Sequence, residues 1–155
     1  MSAYADGLRL LAGRELSVTE CRRRLLDRDH PPEEVETAVE RLLETGALDD
    51  GRVARAYART AVNVKGRGRL RVTRELRHKG IPNDVVTAAV AEIFGDLDER
   101  SLVAKAVQKK LRGRPRPADT AAYVRLYQHL MRQGFSPAVV SAELRRLRGR
   151  GRGEE

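Results

Sequence analysis

The chain has no tryptophan, only two phenylalanines and four tyrosines, and a single cysteine in 155 residues. Aromatics this sparse exclude a thick core built on large rings and suit small helical units with wide solvated faces. One thiol, Cys21, excludes an intramolecular disulfide framework and a thiolate zinc cage, and it agrees with a reducing compartment. No apolar run reaches the ~18 residues that a membrane-spanning helix needs. The opening MSAYADGLRLLAGREL lacks a basic leader and is interrupted by Arg9, so it reads as a first helix and not as a signal peptide. The expected location is cytoplasmic.

Charge, by contrast, is abundant. Lys and Arg number 31 against 22 Asp and Glu, a net charge of +9. Its placement is uneven. Residues 1–50 carry 7 basic and 12 acidic side chains, whereas residues 51–81 carry 10 basic residues and one acid, Glu75. A solvated face is the ordinary reading of a charge run, but concentration in one central segment points to a surface for a polyanion.

Apolar spacing is helical nearly throughout, and no alternating strand pattern stands out. Nine helices are expected: about 3–13, 17–28, 32–45, 50–65, 68–79, 83–94, 96–112, 119–133 and from 136 onward. Ser17 and Glu20 form a capping box, and Pro32 suits a first helical turn. Asp96 with Glu99 reads as a second box. Gly113 to Pro117 reads as a linker, and 149–155 as a disordered tail.

The chain also repeats itself. LLDRDHPPEEVETAVERL (25–42) aligns with LRHKGIPNDVVTAAVAEI (76–93), and that block with LMRQGFSPAVVSAELRRL (130–147). Each is helix, sharp turn, apolar residue, cap, helix. Gly80 and Gly134 supply a left-handed turn cheaply, where the first copy has Asp29. The fold class expected is therefore all-α, an elongated array of three tandem three-helix repeats at 1–47, 48–95 and 96–148. Units of ~50 residues are marginal alone and stabilise one another by stacking.

Catalytic chemistry is poorly supplied. His30, His78 and His129 fall in different repeats, and His30 aligns with the turn-packing residues Ile81 and Phe135. Gly66 and Gly68 lack the spacing of a phosphate-binding loop. Asp49 and Asp50 read as helix-start caps in preference to metal ligands, and Cys21 as a structural thiol. No catalytic residue, cofactor site, metal site or small-molecule substrate is expected.

The basic segment is better organised. Val53, Tyr57, Ala61 and Val64 form an apolar stripe on the fourth helix, with Arg52, Arg55 and Arg59 on another. Arg67, Arg71, Arg74 and His78 follow helical spacing on the fifth, with Arg77 beside them, and Lys65, Arg67 and Arg69 surround the glycine break. These arginines are the expected anionic contact surface, since guanidinium groups grip carboxylates and phosphates in bidentate fashion. Arg52 and Arg59, beside Asp49 and Asp50, are the two best placed to tether repeats instead. Little aromatic interleaving argues against a base-stacking platform.

The stretch LDDGRVARAYARTAVNVKGRGRLRVTRELRHKGI (48–81) resembles the RecX family, regulators of the RecA recombinase. The matching positions are Leu48, Asp49, Asp50, Arg52, Ala54, Tyr57, Arg59, Lys65, Gly66, Gly68, Arg71, Glu75, Leu76, Lys79, Gly80 and Ile81. The likeness extends over about 5–147. Val53 stands where the family usually has Phe or Tyr, Arg69 where it has Pro, and Cys21 where it often has Leu. The resemblance implies tandem three-helix repeats and a monomer that lies in the groove of the RecA–DNA filament. There it would restrain filament growth, ATP hydrolysis and strand exchange in DNA recombination, repair and the SOS response. The competing reading is a sequence-independent DNA-binding helical protein whose partner is the phosphate backbone alone.

Overall fold

Several helices in this chain open on a side-chain cap, and several close on a left-handed residue. The computed structural model describes residues 1–153, and among them the secondary structure is nine helices and no strand. They are α1 (Ala3–Gly13), α2 (Val18–Asp27), α3 (Pro32–Glu44), α4 (Asp50–Asn63), α5 (Arg69–His78), α6 (Asn83–Phe94), α7 (Glu99–Leu111), α8 (Thr120–Gln133) and α9 (Pro137–Gly153). The capping box expected at α2 is complete, with Ser17 Oγ accepting from the Glu20 amide and Glu20 accepting from the Ser17 amide. The three aligned turns all contain a left-handed residue: Asp29 (φ 66°), Gly80 (φ 76°) and Gly134 (φ 98°).

Three expectations are corrected. The cap of α7 is Asp98, not Asp96. Its carboxylate accepts from the Arg100 amide and the Ser101 hydroxyl. Glu99 reaches instead to Ser136, accepting from its amide at 2.6 Å and its hydroxyl at 2.9 Å, and so caps the start of α9. The tail expected over 149–155 is helical as far as Gly153, and the remainder lies outside the described residues. Extending a formed helix needs no new nucleation, and a cationic carboxy-terminal end suits the helix dipole. Finally, Val64 does not join the apolar stripe of α4. It is 71 % exposed, while Val53, Ala54, Ala58, Ala61 and Val62 are buried.

α1, α2 and α3 pack on one another, as do α7, α8 and α9. The first triplet buries Leu16, Cys21, Leu25, Val35, Val39 and Leu42. The last buries Val103, Val107, Leu126, Leu130, Phe135 and Val140. Each Val, Leu or Phe side chain among them contributes about 1.5–3 kcal/mol when fully buried. Burial raises the Cys21 thiol above its usual pKa despite nearby Arg22, as suits a packing residue.

Two compact units divide the chain. One comprises Met1–Ala58 with Glu75–Ala91, and the other Arg59–Arg74 with the chain from Glu92 onward. Each contains one joint of the same design, in which the start of a triplet's second helix meets the glycine turn of the next triplet. In the first unit Ser17 Oγ donates to the Lys79 carbonyl at 2.6 Å and Thr19 Oγ1 to the Gly80 carbonyl at 3.1 Å. In the second the Gly68 amide donates to the Gln133 carbonyl at 2.7 Å and the Leu70 amide to the Gly134 carbonyl at 3.0 Å.

Candidate polyanion-binding surface

The arginines expected to form one ridge divide by what they hold. Arg52, on the first turn of α4, is engaged in the fold. Its Nη1 donates to the Gly46 carbonyl at 2.8 Å, its Nη2 to the Ala47 carbonyl at 3.1 Å, and its Nε pairs with Glu15 at 3.2 Å. The tether expected of Arg52 therefore exists, but its acid is Glu15. Asp49 instead caps α4 through the Arg52 amide, and Asp50 accepts from the Val18 amide at the start of α2. Both carboxylates are thus helix caps.

Arg71 is engaged as well. Its Nη1 donates to Gln133 Oε1 at 3.0 Å and lies 3.4 Å from the Arg132 carbonyl, so its charge sits at the negative end of α8. Arg59, Lys65, Arg69, Arg74 and Arg77 are exposed, while Arg55 and Arg67 are partly covered. Arg59, Lys65, Arg67, Arg69, Arg71 and Arg74 belong to the second compact unit, and Arg52, Arg55 and Arg77 to the first. Arg69 opens α5, a first-turn position where proline would also fit. Tyr57 is half-buried, its hydroxyl donates to Glu75, and Lys79 lies 5.0 Å from its ring centroid. The only acid of the basic segment is therefore occupied inside the fold.

The histidines occupy unlike settings. His30 Nε2 is 2.8 Å from buried Asp6, which also accepts from Arg28 Nε at 2.7 Å. The hydrogen bond to His30 leads in holding the Asp6 carboxyl below the ordinary carboxylate range. Burial opposes it and Arg28 reinforces it. His78 is exposed on α5. His129 on α8 is half-buried, and its imidazole is held below the usual value, first by burial and then by Lys110 and Arg132. Among the described residues no cluster of three or more His, Cys, Asp or Glu side chains is arranged to hold a metal.

One cationic feature was missed by the sequence reading. In the second compact unit a groove of about 410 Å³ is lined by Lys65 and Arg67 from the α4–α5 connection and by Lys105, Lys109, Lys110 and Arg112 from α7 and its end. Its apolar lining includes Val62, Val64, Leu102, Ala106 and Phe135, and among the described residues no carboxylate borders it. The signal was present in the i, i+4, i+7 spacing of Lys105, Lys109 and Arg112. The higher net charge of residues 51–81 overshadows it.

Tandem three-helix repeats with a cation-rich surface define a helical-repeat protein, and no helix among the described residues is long and apolar enough to cross a membrane. Sequence comparison narrows that class. Models of the first, second and third three-helix domains of RecX match residues 3–42, 49–90 and 98–144. The chain belongs to the RecX family. It is 37% identical over 136 residues to the regulatory protein RecX of Halorhodospira halophila, covering 87% of this chain and 81% of that one. It is 31% identical over 143 residues to the regulatory protein RecX of Geobacillus kaustophilus, covering 92% of this chain but only 52% of that longer relative. The crystal structure of RecX from Lactobacillus salivarius superposes with a TM-score of 0.77 at 21% identity, covering 94% of both chains, and so shares the fold.

Proposed function

We propose that this protein is a non-catalytic regulator of the RecA recombinase. It binds the RecA–DNA filament and restrains filament extension, ATP hydrolysis and strand exchange in recombination, repair and the SOS response. Membership of a family whose relatives are named regulatory proteins carries this reading. The repeats that go with it are 1–47, 48–95 and 96–148, acting as a cytoplasmic monomer without cofactor. The filament is a repeating array, so several weak contacts from one chain sum through effective concentration. Of the nine basic residues proposed as the contact surface, Arg59, Arg69, Arg74 and Arg77 are the most exposed guanidinium groups. Arg55, Lys65 and Arg67 lie alongside in sequence, Arg52 holds the chain after α3, and Arg71 holds the end of α8.

The test compares binding to naked DNA, free RecA and the ATP-bound filament, for the wild-type chain and for R69A/R74A/R77A. The wild type should prefer the filament, and the variant should lose most of its binding and inhibition while melting close to wild type. Exposed charges contribute about 0–1 kcal/mol per pair to folding. Equal binding to naked DNA, with no gain from the filament, would make this a sequence-independent DNA-binding protein instead.

A further inference from the structure

The groove on the second compact unit combines two features that a purely ionic surface does not need together. Its lining carries Lys105, Lys109, Lys110 and Arg112 together with Lys65 and Arg67, and among the described residues no acid. Its lining also carries the aliphatic side chains of Val62, Leu102 and Ala106 beside the polar Asn63, His129 and Gln133, and Val64 within it is 71 % exposed. An exposed valine beside a cationic cleft is unfavourable in water and is relieved when an apolar side chain covers it. The cations in turn favour a ligand that brings carboxylates.

We propose that this groove docks an acidic, amphipathic peptide segment of a partner protein, its apolar side chains against Val62, Val64, Leu102 and Ala106 and its carboxylates on the lysines. Single-stranded nucleic acid fits less well. Bases bind such channels by stacking on exposed rings, and the one aromatic ring of the lining besides the imidazole, Phe135, is only 2 % exposed. A phosphate backbone alone would leave Val62, Val64, Leu102 and Ala106 uncovered. The inference goes beyond the proposed function, because it rests on α7 and the α4–α5 connection and requires neither filament nor DNA.

The probe is a fluorescent helix-forming peptide of about fifteen residues with leucines on one face and glutamates on the other. Its controls are the same peptide with glutamines for glutamates and a single-stranded thymidine oligonucleotide of equal length. Fluorescence anisotropy of the full chain should show salt-sensitive binding of the acidic peptide and at least tenfold weaker binding of the glutamine form. The variant K109E/K110E should weaken acidic-peptide binding by about tenfold or more, and V64S by about threefold. Lys109, Lys110 and Val64 are all exposed, and thermal melts of both variants should match wild type. Absence of peptide binding, or binding unchanged in K109E/K110E, would overturn the proposal. Oligonucleotide binding that is lost in K109E/K110E while the peptide does not bind would overturn it too, and would make the groove a phosphate site. The assay contains no RecA, so its failure leaves filament inhibition standing, and failure of filament inhibition leaves the peptide result standing.

Discussion

The two joints use one geometry and different chemistry. At the first, α2 reaches the turn after α5 with side chains, as Ser17 and Thr19 hydroxyls donate to the Lys79 and Gly80 carbonyls. At the second, α5 reaches the turn after α8 with its own backbone, as Gly68 and Leu70 amides donate to the Gln133 and Gly134 carbonyls. The backbone version demands a closer approach. A Cβ on Gly68 would fall 2.6 Å from the carbonyl carbon and oxygen of Gly134, and one on Gly134 would overlap the backbone nitrogen and Cβ of Arg71. A Cβ on Gly80 would fall 2.5 Å from Thr19 Cβ and Cγ2 and 2.7 Å from its Oγ1. The nearest atoms at the first joint therefore all belong to one side chain, two of them removable by truncation, whereas those at the second include backbone.

The largest effect expected from breaking this comparison is at Gly134. Alanine there meets both a positive φ and immovable backbone, so G134A should lose about 3–4 kcal/mol in denaturant unfolding. G80A should lose about 2 kcal/mol, since the strain at φ 76° remains but the clash is with a side chain. T19A, which removes Thr19 Cγ2 and Oγ1 but leaves Cβ, should recover part of the G80A loss, and no side-chain truncation should free G134A from the Arg71 backbone nitrogen. Equal losses at the two glycines would erase the distinction. Next in size, S17A removes both the α2 cap and the donor to Lys79, a loss of about 1–2 kcal/mol. The smallest effect concerns acid. The Asp6 carboxyl titrates lower in the folded chain than its ordinary 3.8, so its contribution is full above that value and fades as pH falls through the folded one. Melting temperatures followed from about pH 5 down to about pH 2 should fall more steeply for wild type than for D6N.

How much of this was legible in the sequence depends on the distance over which each decision is made. Local chemistry was readable: Ser17 and Glu20 cap as expected, and the aligned turns at Asp29, Gly80 and Gly134 share one conformation. Partners distant in sequence were not. Glu99 looks like half of a local box, yet it spans 37 positions to cap α9 at Ser136. Arg52 has spacing that suits a solvent ridge, but the free carbonyls at the end of α3 and Glu15 claim its guanidinium. Arg71 similarly serves α8. Val64 fits a helical apolar period by number, and the helix ends just before it. Periodicity places a residue on a face, and only packing says whether that face is covered.

The most direct test of the central claim is inhibition of RecA filament extension on single-stranded DNA, measured with R69A/R74A/R77A beside wild type over a salt series. The account predicts a folded variant whose inhibition is largely lost and whose binding has a shallower salt dependence, by roughly 0.7–0.9 log–log units for each phosphate contact removed. A folded variant that inhibits as well as wild type, with an unchanged salt slope, would contradict it.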